Sequence, residues 1–306
     1  MRLYYSSRCN DSHIDWILIC KEQMKRTGLT AYVYMLPYVI IVVCLIIFPF
    51  IWNVSLSFES DNSFLSNYQE KFSDIIFGKV FSNTLIWTFF SVFFQLIIGL
   101  NIAILLNQKI KGIALFRALI LILPWAIPDI VAAIAWKWMY NDLYGVFNDI
   151  LLRFNIINRP IAWLGNISLA MPSIIVANIW KGFAMSAMFY LAALQSINNE
   201  IIEAAKVDGA NNFAIYRHLL LPHLQPTIIS TVILTIIFTI NYFPLIFSMT
   251  GGGPYHSTDT LVTWSYQLGF RFLKFNESAT VSTINFLFIL IFSIAYSYIF
   301  FRKEKV

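Results

Sequence analysis

EAAKVDGANNFAIYRHLLLP (203–222) lies between two long apolar runs of a 306-residue chain. A segment that only joined two hydrophobic helices would need neither its charges, its two asparagines, its glycine nor its closing proline. Just ahead of it, Asn198 or Asn199 supplies an N-cap for a short helix. Glu200 and Glu203 fall in the first turn, where the helix macrodipole favours acid. Ile201, Ala204 and Ala205 share one face at i, i+3, i+4 spacing, and the small alanines let another surface approach closely. Asp208, Gly209 and Ala210 form the turn, with Gly209 free to take a left-handed conformation. Phe213, Tyr216 and Leu220 then form the stripe of a second helix. Pro222 and Pro226 mark where the following apolar run begins. The local expectation is a compact helix–turn–helix, a rigid lever rather than a tether.

The rest of the chain sets where that lever stands. The composition is 58% hydrophobic and 12% charged, with mean hydropathy +0.69. Soluble domains are about 25% charged, so the departure points to a polytopic membrane protein. The expected fold class is all-α, with six transmembrane helices near 32–57, 79–107, 114–138, 170–195, 225–248 and 281–301. Residues 1–31 read as a cytosolic N-terminal arm and 32–57 as an additional first helix. Residues 79–301 read as a five-helix core holding an inside loop at 196–224, and 302–306 as a cytosolic tail. The short apolar piece at 16–20 is too brief and too charged at its flanks for a secretory signal.

Orientation follows from the basic residues. Arg2, Arg8, Lys21, Lys25 and Arg26 mark the arm; Lys109, Lys111 and Arg117 the connection between spans 2 and 3. Lys206 and Arg217 mark 196–224, and Arg302, Lys303 and Lys305 the tail. The loop at 58–78 carries Glu59, Asp61, Glu70 and Asp74 against Lys71. By the positive-inside rule both termini and 203–222 face the cytosol. The net charge of +5 thus follows membrane topology and implies no nucleic-acid partner.

With that side established, 203–222 resembles the signature of the membrane subunits of bacterial ABC importers. The pattern is Glu-Ala-Ala, three residues, Gly, nine residues, then Ile-x-Leu-Pro. Glu203, Ala204, Ala205, Gly209, Leu221 and Pro222 fit it, and Leu219 stands where Ile is usual. Longer stretches at 34–58, 121–148, 191–210 and 243–270 are similar to the carbohydrate-type permeases of that family. The run TGGGP followed by Ser257 and Thr258 resembles a marker of its sugar and glycerol-phosphate group, the maltose-F type in particular. The resemblance implies a type I (MetI-like) permease core in a bacterial cell membrane. It also implies a second permease subunit, two cytosolic ATPase subunits and an extracellular or periplasmic substrate-binding protein. Residues 203–222, with Asp208 and Ala210 at the turn, would then form the helix that docks into the ATPase and couples hydrolysis to transport.

The chain has no G-x-x-x-x-G-K-[ST], and Gly251-Gly252-Gly253-Pro254 lacks the lysine and following helix of a phosphate loop. ATP and magnesium therefore belong to the partner ATPase, and no cofactor is expected in this chain. The four histidines do not cluster as metal ligands, and His218 and His223 read as surface groups. Cys9, Cys20 and Cys44 have no metal or redox spacing. No nucleophile–base arrangement marks an enzyme.

Ionisable groups inside spans are functional candidates by default. Asp129, Lys181 and Asn241 lie roughly 3–6 Å from mid-membrane on the outer side at 1.5 Å per residue. Asn178, Trp180, Phe238 and Tyr242 stand near the same depth, and polar groups beside aromatic faces suit a hydroxyl-rich ligand. Two readings stand for Asp129 and Lys181: an ion pair tying spans 3 and 4, or part of a substrate path. Asn241 also has the plainer role of bonding a neighbouring helix. Trp136, Lys137, Trp138 and Tyr140 read as an aromatic belt with a snorkelling lysine. A glycerol phosphate or acidic saccharide as cargo, with Lys181, Arg271 and Lys274 as its first basic contacts, is an alternative. So is a secondary transporter or channel needing no ATPase.

Overall fold

The computed structural model describes residues 34–60, 63–108 and 112–301. The arm at 1–31, the tail at 302–306, Asp61, Lys109, Lys111, Cys9 and Cys20 lie outside the described residues. The chain divides into two compact units, Met1–Leu56 and Ser57–Val306. The first holds most of α1 (Tyr34–Ser57), an apolar helix of 24 residues, long enough to cross a bilayer. All regular structure among the described residues is helical.

The second unit opens with short α2 (Ser66–Ser73) and 32-residue α3 (Ile75–Leu106), which Asp74 caps by accepting from the Ile76 N–H at 2.8 Å. Span 3 follows as two pieces, α4 (Leu115–Ala126) and α5 (Asp129–Met139), bent by 97°. Surface helix α6 (Val146–Arg153) leads to α7 (Ile167–Gln195) and short α8 (Asn199–Val207). A helical run from Asn212 continues into α9 (Leu221–Ile240), then α10 (Pro244–Met249), α11 (Leu261–Tyr266) and the last span α12 (Phe275–Phe301). Among the described residues five helices are long and apolar enough to cross a membrane, six crossings if the bent pair counts as one.

Two expectations need correction. Span 3 is not one straight helix across 114–138. Pro128 has no N–H to donate, and Ile127 before it is driven to ψ 126°, so α4 stops there. Pro222 likewise does not separate a second short helix from span 5, because Asn212–Met249 forms one hydrophobic crossing. The accommodation is a widened π-type turn at Tyr216–Leu220, which ends two residues before Pro222. The same spacing recurs at Val43–Ile47 before Pro49 and at Ala118–Ile122 before Pro124. A proline ring collides with the carbonyl four residues back, and an added residue in the preceding turn moves that carbonyl away.

The bundle is built on α3 against α7. Gly99 and Gly182 make the close approach possible: a Cβ on Gly99 would sit 2.8 Å from Ser186 Cβ, and one on Gly182 would sit 2.3 Å from Gln95 Nε2. One apolar core joins Trp87, Ala133, Trp136, Ile174, Leu245 and Ile246. A second, at the other end, joins Leu106, Leu121, Tyr190, Leu194 and Leu224. Trp136 and Tyr140 are buried in the first, their rings packed on Phe147, so only Trp138 and Lys137 of the expected aromatic belt are exposed.

Candidate functional site

Both broken spans open onto one cavity. Ending α4 at Ala126 leaves the carbonyls of its last turn without intrahelical partners. Lys181 on α7 reaches into the gap. Its Nζ donates to Trp125 O at 3.3 Å and to Ile127 O, and stands 3.3 Å from Asp129 Oδ1. An ammonium has three hydrogens, and three acceptors surround this one. Asp129 is the first residue of α5, where the helix N-terminus favours an anion. Lys181 therefore joins the negative end of one half-helix to the carboxylate at the positive end of the next.

Span 5 breaks at 241–243, just before Pro244. Tyr242 donates its phenolic O–H to Asp129 Oδ1 at 2.7 Å, linking the two breaks. Trp87 Nε1 donates to Thr239 O at 2.9 Å and so satisfies one carbonyl at the end of α9. The cavity is open on one side and about 470 Å³ in volume. Its walls are Trp125 and Asp129 from span 3, Asn178, Lys181, Gly182 and Met185 from α7, Phe238, Thr239 and Tyr242 from span 5, and Gln95 from α3. Gln95 Nε2 donates to Asn178 O at 2.9 Å, while the buried Asn178 Nδ2 has no partner.

Asp129, Asn178, Lys181, Phe238 and Tyr242 are thus brought together. Trp180 and Asn241 are not among the cavity walls. Neighbouring residues on a helix point about 100° apart. Trp180, beside Lys181, turns its ring to the edge of Trp136 at 5.9 Å. Asn241, beside Tyr242, donates to Ile237 O at 3.0 Å and accepts from Asn285 Nδ2 at 3.3 Å. Gln95, Trp125, Gly182, Met185 and Thr239 were not anticipated. Gln95 carried a readable signal, since it is an amide inside the apolar run SVFFQLIIGL (91–100).

At the opposite end of the bundle, α8 begins at Asn198, whose Oδ1 accepts from the Glu200 N–H at 3.1 Å. It ends at Asp208, followed by Gly209 at φ +84°. Gly209 N–H donates to Lys206 O at 3.1 Å and Ala210 N–H to Ala205 O at 2.9 Å, which closes the helix end. Asn211 Oδ1 then accepts from the Ala214 N–H at 2.8 Å and starts the next helix. Glu203, Ala204, Asp208 and Pro222 are exposed; Ala205, Ala210, Leu219 and Leu221 are half-buried. Ile201, Val207 and Phe213 also stand exposed, an apolar set around the turn. His218 and His223 are exposed.

The glycine-rich loop at 250–260 packs against the start of α3. Asn83 Nδ2 donates to His256 O at 2.8 Å and to Asp259 O at 3.1 Å. The Asp259 carboxylate is buried and accepts from His256 Nδ1 at 2.6 Å, Gln267 Nε2 at 2.7 Å and Thr263 Oγ1 at 3.0 Å. Burial pushes its pKa up, and the bonds from His256, Thr263 and Gln267 oppose that rise. Gly252 is required here, because a Cβ would sit 1.8 Å from Asp259 Oδ1. Among the described residues no three His, Cys, Asp or Glu side chains gather in a metal-binding group.

Membrane-crossing helices, two broken spans around a polar cavity and a capped helix–turn–helix at one end define a polytopic transport permease. The chain belongs to the family described as binding-protein-dependent transport system inner membrane component, whose model matches residues 26–304. It is 33% identical over 282 residues to the trehalose/maltose transport system permease protein MalF of Thermococcus litoralis, covering 89% of this chain and 93% of the relative. It is 31% identical to the lactose transport system permease protein LacF of Rhizobium radiobacter, covering 89% and 95%. The sulfoquinovosyl glycerol transport system permease protein SmoG of Agrobacterium fabrum is 33% identical, covering 72% and 70%. In fold, the chain matches the crystal structure of a bacterial ABC transporter that imports the acidic polysaccharide alginate. The TM-score is 0.84 at 22% identity, covering 92% of this chain and 98% of that one.

Proposed function

We propose that this chain is a transmembrane permease subunit of an ATP-driven importer, moving a sugar or oligosaccharide delivered by an external binding protein. The mixed lining of the cavity carries the sugar reading. The amide of Asn178 and the Tyr242–Asp129–Lys181 group stand beside the rings of Trp125 and Phe238. Hydroxyls need polar partners, while the apolar face of a sugar ring packs on aromatic surface. Relatives named for trehalose and maltose and for lactose support the same cargo class. Trp180 and Asn241 act one step back, Trp180 by packing and Asn241 by tying span 5 to α12.

Both termini and 196–224 face the cytosol, and the outer end carries 250–274. Glu203, Ala204, Ala205, Asp208, Gly209 and Ala210 present the surface that docks with the cytosolic ATPase, and Leu219, Leu221 and Pro222 carry its movement into span 5. ATP and magnesium act in two ATPase subunits, and a second permease subunit completes the path. Because an effector shifts an equilibrium only through differential contacts, this surface binds open and closed ATPases with different affinity.

The test is affinity co-purification of the tagged chain from its native membrane, with mass spectrometry and an ATPase assay. A Walker-motif ATPase, a second permease and a binding protein are expected, and screening that binding protein against saccharides names the cargo. A chain recovered alone, with uptake insensitive to ATP, overturns the reading.

A further inference from the structure

Among the described residues, Lys181 is the one basic group lining the cavity. Its neighbours oppose a role in gripping an acidic cargo. Trp125 O, Ile127 O and Asp129 Oδ1 account for its three hydrogens. Its side chain is only 11% exposed. Asp129 is in turn held by the Tyr242 O–H. The two charges on the cavity wall therefore cancel. A cargo carboxylate drawing Lys181 away would strip the carbonyls at the end of α4 and face the released Asp129 carboxylate, a like charge in a poorly solvated layer. The remaining polar side chain of the wall without a hydrogen-bond partner is likewise neutral, the Asn178 amide, whose Nδ2 is buried unpaired. Of the other basic candidates, Lys274 pairs with Glu277 at 2.7 Å, and neither it nor Arg271 lines this cavity.

We propose that Lys181 is a positioning residue, the staple across the break in span 3, and that its pairing with Asp129 makes this cavity select uncharged over acidic saccharides. The inference rests on the saccharide path proposed above. Relatives named for lactose and for sulfoquinovosyl glycerol differ in cargo charge, so membership of the family leaves the point open.

The test uses the intact importer complex, purified without its binding protein, in equilibrium dialysis against maltotriose and against trigalacturonate. Wild type is expected to bind the neutral probe about tenfold more tightly, as a charge difference worth roughly 1.4 kcal/mol would give. Asp129→Asn frees the Lys181 charge and shifts the preference toward the acidic probe. Lys181→Gln leaves Asp129 alone and shifts it further toward the neutral one. Opposite shifts from the two variants are a result that a purely structural pair would not give. Should either single variant fail to assemble, the double variant, which carries no charge, is expected to keep the wild-type preference; a turn toward the acidic probe there counts against the proposal. Equal or tighter binding of trigalacturonate by wild type, or single variants that leave the ratio unmoved, overturns it. Binding of neither probe instead overturns the underlying saccharide-path reading.

Discussion

Tyr242 and Asp129, 113 positions apart, meet through a 2.7 Å hydrogen bond that joins the break in span 5 to the break in span 3. Tyr242 stands in the interruption before α10, and Asp129 opens α5, so the bond ties two half-helix ends together. A movement that reaches span 5 from 203–222 would pass to span 3 through this contact. Hydrogen bonds to charged groups contribute about 1.5–3 kcal/mol, and partial exposure of Asp129 places this one near the lower figure. Tyr242→Phe is therefore expected to lower uptake about tenfold at most, with the yield of assembled complex unchanged. Asp129→Ala is expected to lower uptake further while assembly survives. Normal uptake in both variants would remove the cavity from the transport path.

The contact of Gly182 with Gln95 makes a second expectation. A methyl group on Gly182 has no room beside the buried Gln95 amide. Gly182→Ala is expected to destabilise the complex by about 1–3 kcal/mol, the usual range for overpacking. Gln95→Ala in the same chain opens the space and should recover most of the loss. Thermal melts of the two single variants and the double variant give the coupling. Strictly additive losses would mean that Gln95 is not what excludes the methyl group.

The parts of this fold that were legible in the sequence are those that depend on local chemistry. Apolar runs long enough to cross a bilayer marked the helices, and Asn198 or Asn199 with Gly209 bracketed α8, whose cap is Asn198. The break in span 3 was not legible in the same way. Proline in a transmembrane helix commonly makes a mild kink, because neighbouring groups satisfy the freed carbonyls. At the 97° bend the carbonyl freed at Ile127 accepts from Lys181, a partner 54 positions away. Of the residues singled out in the sequence, Trp180 and Asn241 miss the cavity by one step of helix phase beside Lys181 and Tyr242, while Gln95 of α3 was missed altogether. Such a phase depends on where each helix breaks and on the neighbour that it meets there.

At the other end of the bundle, the turn after α8 supports a prediction about the partner rather than the fold. Gly209 at φ +84° has open space around a Cβ, so a side chain there meets strain without a clash. Gly209→Val, β-branched at a left-handed position, is expected to weaken the turn by about 1–3 kcal/mol and misdirect Ile201 and Val207. Co-purified ATPase should fall several-fold while the permease still reaches the membrane. Full recovery of the ATPase with this variant would show that docking does not depend on the geometry of the turn.

The buried Asp259 carboxylate gives the pH expectation. Burial raises its pKa above the ordinary aspartate value of 3.8, and its bonds to His256, Thr263 and Gln267 limit the rise. The folded loop then binds a proton more readily than the unfolded chain does. The resulting contribution to stability is fully present below pH 3.8 and is lost as pH rises through the higher folded value. Above that value the ionised Asp259 holds the 250–260 loop only as well as its three donors allow. Asp259→Asn removes this titration while keeping an oxygen acceptor for Thr263. Thermal melts of the purified complex from acid to neutral pH should show a smaller decline for the variant than for wild type across that window. A wild-type decline that survives unchanged in Asp259→Asn would place the pH sensitivity on other groups.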